Sequence, residues 1–209
     1  MFHKFFFKVK IILTHFIFIT LLQILCLANL QANTAQEYVQ EAHDNIVKVI
    51  LAEQHTYEEH PNEFITSISE TLTPLFDFER ISRNVMGKYY KDSNIQQRKS
   101  FEKAFKKSLL RTYAKTLAEF KDEKIMVLPE KVKSNNSQRA KIPLEIITQS
   151  KIYPALYSMY LDNNSKWKVI NIIVNGVNLG LTFRNQFYAL MESHNNDIDK
   201  VIEKWVTVI

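Results

Sequence analysis

Between Ile125 and Asn175 the chain carries four consecutive segments with the composition of β-strands and no helix between them. Ile125–Pro129, Gln138–Thr148, Ile152–Asp162 and Lys166–Asn175 are rich in Ile, Val and Tyr, which suit a pleated, half-buried surface. Strands that follow one another so closely must pair antiparallel, because a parallel pair needs a long crossover connection. Asp162-Asn163-Asn164-Ser165 supplies the turn between the last two. This stretch is therefore an antiparallel meander, and the rest of the chain has to pack against it.

The flanking segments read as helices. Apolar residues at 35, 38, 39, 42, 46, 49 and 50 form one helical face, with His43 read as a surface residue. Pro61 starts a second helix that ends near Pro74, and Phe78 to Met86 makes a third, stopped by Gly87. The longest runs from about Ile95 to Phe120. Phe101, Ala104, Phe105, Leu109, Tyr113 and Leu117 lie on its broad apolar sector, and Lys99, Lys103, Lys107 and Arg111 repeat every four residues on the other side. That basic stripe is either a solvated face or a docking surface for anionic headgroups or an acidic partner. Two more helices follow the strands, at about Leu179–Ser193 and from near Asn196 to the end. Helices, then a meander, then helices make an α+β fold: a curved four-stranded sheet wrapped around a long helix. The interior of such a cone can be filled by side chains or left open.

The first 32 residues read as an address. Lys4, Lys8 and Lys10 precede an apolar run from Ile11 to about Ala28, and small residues follow at Ala28 and Ala32. That is the layout of a secretory signal peptide, cleaved after Ala32 or after Ala28; the alternative is an N-terminal membrane anchor. Cys26 is the single cysteine and lies inside this segment behind Leu25, so neither a lipoprotein anchor nor a disulfide is expected. Removing 32 of the 209 residues leaves 177, enough for one domain spanning 33–209. It also removes three of the 27 basic residues and none of the 22 acidic ones, so the net charge drops from +5 to +2. Such a balance makes no case for nucleic acid.

Catalytic and metal constellations are weak. His55 and His60 are five residues apart, the wrong spacing for one helical face, and Pro61 follows at once. No phosphate-cradling glycine loop and no Gly-x-Ser-x-Gly elbow is present, and Glu145 is the main candidate for a buried acid on the strands. No cofactor or metal is expected. Leu156, Tyr157, Met159, Tyr160 and Leu161 put apolar groups on both faces of the third strand. A plain core and a cavity for acyl chains both fit that pattern, since the same side chains build either.

Two segments carry a resemblance. The first is Leu75-Phe76-Asp77-Phe78, Arg83, Val85-Met86-Gly87-Lys88-Tyr89-Tyr90, Gln97-Arg98, Phe101, Phe105, Leu109 and Arg111-Thr112-Tyr113. The second is Trp167-Lys168-Val169-Ile170-Asn171, Asn175-Gly176-Val177-Asn178-Leu179 and Phe183-Arg184-Asn185-Gln186-Phe187. In this order the sequence resembles the MlaC family, also called the toluene-tolerance or ABC-transporter auxiliary family. It departs from the family's usual Asp, Glu and Ser at Asn171, Asn175 and Asn178.

The resemblance implies a nuclear-transport-factor-two-like cone with an apolar cavity. It implies a soluble periplasmic protein that binds phospholipid as cargo without reacting it. Its partners would be an inner-membrane ABC transporter complex with its substrate-binding domain protein and an outer-membrane lipoprotein complex, the traffic maintaining outer-membrane lipid asymmetry. Phe76, Val85, Tyr89, Phe105, Leu109, Tyr113, Leu117, Ile173, Val177, Leu179 and Phe183 are expected to wall the acyl cavity. Arg184, Lys103 and Lys107 are expected at the headgroup or a partner. The rival readings are a periplasmic adaptor without lipid and an isomerase-like enzyme on the same fold.

Overall fold

A computed structural model describes residues 34–121, 123–129 and 136–208. The expected signal peptide lies outside the described residues. Helix α1 (Ala35–Glu53) opens with a capping box: Thr34 Oγ1 accepts from the Glu37 N–H, and the Glu37 carboxylate accepts from the Thr34 N–H. Its buried stripe is Ala35, Val39, His43, Ile46 and Ile50. His43 thus belongs to the inner face and not, as its polarity suggests, to the surface. A 3₁₀ turn, Gln54–Thr56, leads to α2 (Pro61–Leu72), where Pro61 takes the first turn, a place with no intrahelical N–H to lose.

Asp77 caps α3 (Phe78–Met86) by accepting from the Arg80 N–H at 2.8 Å. Gly87 ends it at φ +55°. A short α4 (Tyr89–Asp92) precedes α5 (Ile95–Ala118), whose Asn94 and Gln97 form a second capping box. After the sheet come α6 (Leu179–Ser193) and α7 (Ile198–Val208). No helix among the described residues is long and apolar enough to cross a membrane.

The sheet is an antiparallel meander in the order β1 (Lys124–Val127), β2 (Arg139–Ile147), β3 (Ile152–Leu161), β4 (Trp167–Val174) and β5 (Val177–Asn178). The sequence suggests four strands; the fifth is two residues long, formed as the chain turns through Asn175 and Gly176 at positive φ and pairs Val177 with Val174. Such a short ladder has no periodicity to read. The expected turn at Asp162 forms, with Asp162 Oδ1 accepting from the Asn164 and Lys166 N–H groups.

Two further features shape the site. A bulge in β4 leaves Ile170 unpaired between Val169 and Asn171, which kinks that strand. The segment joining α2 to α3 also runs parallel to β4: Val169 N–H donates to Leu75 O (2.8 Å) and Asp77 N–H to Val169 O (3.1 Å).

Two apolar clusters result. One lies between α1, α2 and the sheet, around Ile50, Phe64, Ile68, Ile142, Leu144 and Met159. The other joins α3, α5, α6 and α7 through Phe101, Phe105, Phe187, Met191, Val201 and Trp205. Phe101 meets Phe187 and Trp205 edge-on at 4.8 and 5.2 Å between centroids. Each such aromatic pair adds about 0.5–1.5 kcal/mol beyond the area it buries.

Candidate functional site

Helix α5 changes neighbours along its length. Toward its start and middle it buries Phe101, Ala104, Phe105 and Ser108. From Phe105 on, Leu109, Tyr113 and Leu117 follow at intervals of four, a row that slants around a helix of 3.6 residues per turn and so turns away from the aromatic cluster. That row faces a cavity of about 190 Å³. The opposite walls come from α3 (Phe78, Ile81), β4 (Ile170, Asn171, Ile172) and α6 (Leu179, Gly180, Phe183), with Leu72, Phe76 and Leu110 completing them. Phe105 and Phe183 meet edge to face at 5.4 Å where the cavity adjoins the aromatic cluster. Tyr113, 47% exposed, stands where it meets water. A wider groove along α1, about 750 Å³, is lined by Glu37, Glu41, Asp44 and Lys48 among others, walls that suit water rather than hydrocarbon.

The walls are held by polar links. Tyr160 on β3 donates its hydroxyl to Asp77 Oδ2, tying the sheet to the start of α3. Burial first, then that carboxylate, pushes the Tyr160 phenol up to about 12, so it stays a donor at neutral pH. Arg80 lies 3.8 Å from the centre of the Tyr160 ring. Lys106 Nζ donates to Thr73 Oγ1 at the end of α2 (2.6 Å) and sits 5.2 Å from the Phe78 ring. On the α6 side, Gly180 N–H donates to Asn171 Oδ1 at 3.1 Å; a Cβ at Gly180 would stand 2.5 Å from that oxygen, so the approach depends on glycine. Asn178 caps α6 by accepting from the Leu181 N–H. Two of the family departures, Asn171 and Asn178, thus fix the start of α6.

Comparison with known proteins identifies the family. The model described as "MlaC protein" matches residues 40–207. The chain belongs to the MlaC family. It is 32% identical over 182 residues to the toluene tolerance protein ttg2D of Pseudomonas putida, covering 86% of this chain and 83% of that one. It is 29% identical over 144 residues to the intermembrane phospholipid transport system binding protein MlaC of Haemophilus influenzae, covering 68% and 67%. Among solved structures it is similar in fold to the phospholipid-binding protein from Ralstonia solanacearum in complex with a phospholipid. The TM-score there is 0.73 at 20% identity, over 83% of this chain and 99% of that one. The α+β family fold expected from the sequence is the fold observed.

Of the eleven residues expected to wall the cavity, Phe76, Phe105, Leu109, Tyr113, Leu117, Leu179 and Phe183 are brought together around it. Four stand elsewhere. Val85 is fully buried in the aromatic cluster. Tyr89, on α4, packs edge-on against Tyr188 at 5.2 Å. Ile173 pairs with Leu156 and Asn178 across the sheet. Val177 is 52% exposed on β5. Arg184 Nε donates to Asn84 O at 2.7 Å, bridging α6 to α3. Lys103 and Lys107 are exposed on α5. Phe78, Ile81, Ile170 and Asn171 were not anticipated in the wall; Phe78 ends the quoted Leu75–Phe78 motif and Ile81 lies one helical turn beyond it, a spacing that could have found them. Among the described residues no group of three or more His, Cys, Asp or Glu could hold a metal. Glu145 lies on β2 between Met126 and Pro154, away from the cavity lining.

Proposed function

We propose that this chain is a periplasmic phospholipid carrier. The observation that carries the reading is the cavity between α3, α5, β4 and α6, walled by aliphatic and aromatic side chains in a member of the MlaC family. Each methylene moved from water into such surroundings contributes about 0.8 kcal/mol. About ten acyl carbons therefore correspond to roughly 8 kcal/mol, the micromolar range, while a charged headgroup stays in water. Lipid is cargo here, not cofactor, and it leaves chemically unchanged: the described lining has no carboxylate or histidine to act as acid or base.

A space of about 190 Å³ is smaller than the roughly 300–1,000 Å³ of ordinary ligand sites. A two-chain lipid thus enters by parting the walls, with the Phe105–Phe183 contact as the partition that turns aside. The carrier would exchange lipid with an inner-membrane ABC transporter complex, through its substrate-binding domain protein, and with an outer-membrane lipoprotein complex, after export on its N-terminal segment. That traffic would serve outer-membrane lipid asymmetry.

Native mass spectrometry of protein purified gently from periplasm tests the proposal. The expected result is a mass increment equal to one phospholipid, released on organic extraction. Protein that carries no lipid and takes up none from vesicles overturns it.

A further inference from the structure

The cavity wall contains one side-chain amide. Among the described lining residues Asn171 and the half-exposed Tyr113 alone carry polar side-chain groups. Asn171 gives its Oδ1 to the Gly180 N–H, which fixes the amide's orientation and leaves the Nδ2 amine as its remaining polar end. The nearest other side-chain acceptor, Asn178 Oδ1, is held by the Leu181 N–H, and Ile170, Ile172, Leu179 and Phe183 offer none. A donor covered by hydrocarbon without a partner is costly, so acyl methylenes packed against Nδ2 are disfavoured there. A carbonyl oxygen is favoured.

We propose that Asn171 sets the depth at which cargo stops, by donating from Nδ2 to an ester carbonyl of a diacyl lipid. This rests on the carrier reading above. A phosphate oxygen is also an acceptor, but bringing a phosphate against Ile170 and Leu179 means stripping an anion of water, which the ester avoids. The ester is the last polar group before the hydrocarbon, so a stop at Asn171 places the chains beyond it, along Leu109 and toward Phe105 and Phe183. Asn171 is then a specificity residue for the glycerol–acyl linkage, independent of headgroup.

The probe is a pair of phospholipids with the same headgroup and chains, one ester-linked and one ether-linked, offered together in equal amounts in vesicles to delipidated protein. Native mass spectrometry reads the ratio taken up. A net hydrogen bond between neutral groups corresponds to about a 2–10-fold preference, so the wild type should favour the ester by that factor. Asn171→Leu should bring the ratio to one. Asn171→Asp, which keeps an acceptor for Gly180 N–H but lacks the donor, should also abolish the preference, and it guards against a loss of folding in the leucine variant. Equal uptake by the wild type overturns the proposal and leaves the carrier standing; so does a preference that survives in either variant. Uptake of neither lipid by the wild type overturns the carrier reading itself.

Discussion

His43 and Tyr157 lie nearly face to face, with ring centroids 5.6 Å apart and planes 30° from parallel. His43 belongs to α1 and Tyr157 to β3, so the pair marks where the first helix meets the sheet. Both imidazole nitrogens are buried without a partner. Burial pulls the imidazole pKa from 6.5 to about 4, opposed only in part by Asp44.

The pair makes stability fall in acid. Above pH 6.5 His43 is neutral in both folded and unfolded chains. As the pH drops through that value the unfolded chain binds a proton and the folded one does not, so stability is lost until about pH 4 and levels off below. The gap corresponds to about 3 kcal/mol. Urea unfolding at a series of pH values, compared between wild type and His43→Phe, checks this: the variant should lose about 3 kcal/mol less between neutral pH and about pH 4. Parallel curves would sink the idea.

Leu109 and Val177 separate wall from surface. Leu109 faces the cavity, whereas Val177 is 52% exposed on β5. Leu109→Glu forces a carboxylate into apolar surroundings at a cost of several kcal/mol or keeps it protonated, and it should abolish lipid uptake. Val177→Glu should fold and load as the wild type does. Extraction and chromatography of lipid from both purified variants tells them apart.

Gly87 is fixed by a neighbour as well as by its backbone. It sits at φ +55°, and a Cβ there would stand 2.2 Å from the Tyr188 hydroxyl, which accepts from the Lys88 N–H at 3.0 Å. Gly87→Ala should destabilise by about 1–3 kcal/mol through the backbone alone, with more from the clash. Adding Tyr188→Phe should recover the hydroxyl's share of the clash, though not that of the ring carbons at 3.0 and 3.2 Å nor the backbone cost. Thermal unfolding of Gly87→Ala, Tyr188→Phe and the double variant reads both.

Lys99, Lys103, Lys107 and Arg111 form an exposed basic stripe along α5. Lys103 and Lys107 are exposed. Lys103→Glu/Lys107→Glu should shift stability by less than about 0.5 kcal/mol. It should slow association with an acidic partner surface at low salt and flatten its salt dependence. Association rates at two ionic strengths measure this; unchanged rates return the stripe to a solvated face.

Much of this architecture is legible in the chain. Helix α6 begins at Leu179 and ends at Ser193 as its pattern indicates, because Asn178 and the strand before it punctuate it clearly. His43 could have been placed inside from spacing alone, four residues after Val39 and three before Ile46, but its polarity argued otherwise. The cavity is the harder part. Val85 and Leu109 are equally apolar and both face inward, yet one meets a packed neighbour and the other a gap. The difference arises from where Phe105 meets Phe183 and from the bulge at Ile170, which are tertiary facts with no local signature.

The parallel contact of Leu75 and Asp77 with Val169 also guards a strand edge. The outer side of β4 is engaged at Val169 by the chain's own linker and at Ile173 and Val174 by β5. An unguarded strand edge is a template for a second molecule to add to. Here the linker and the two-residue strand act as selvedges, hems woven from the same thread.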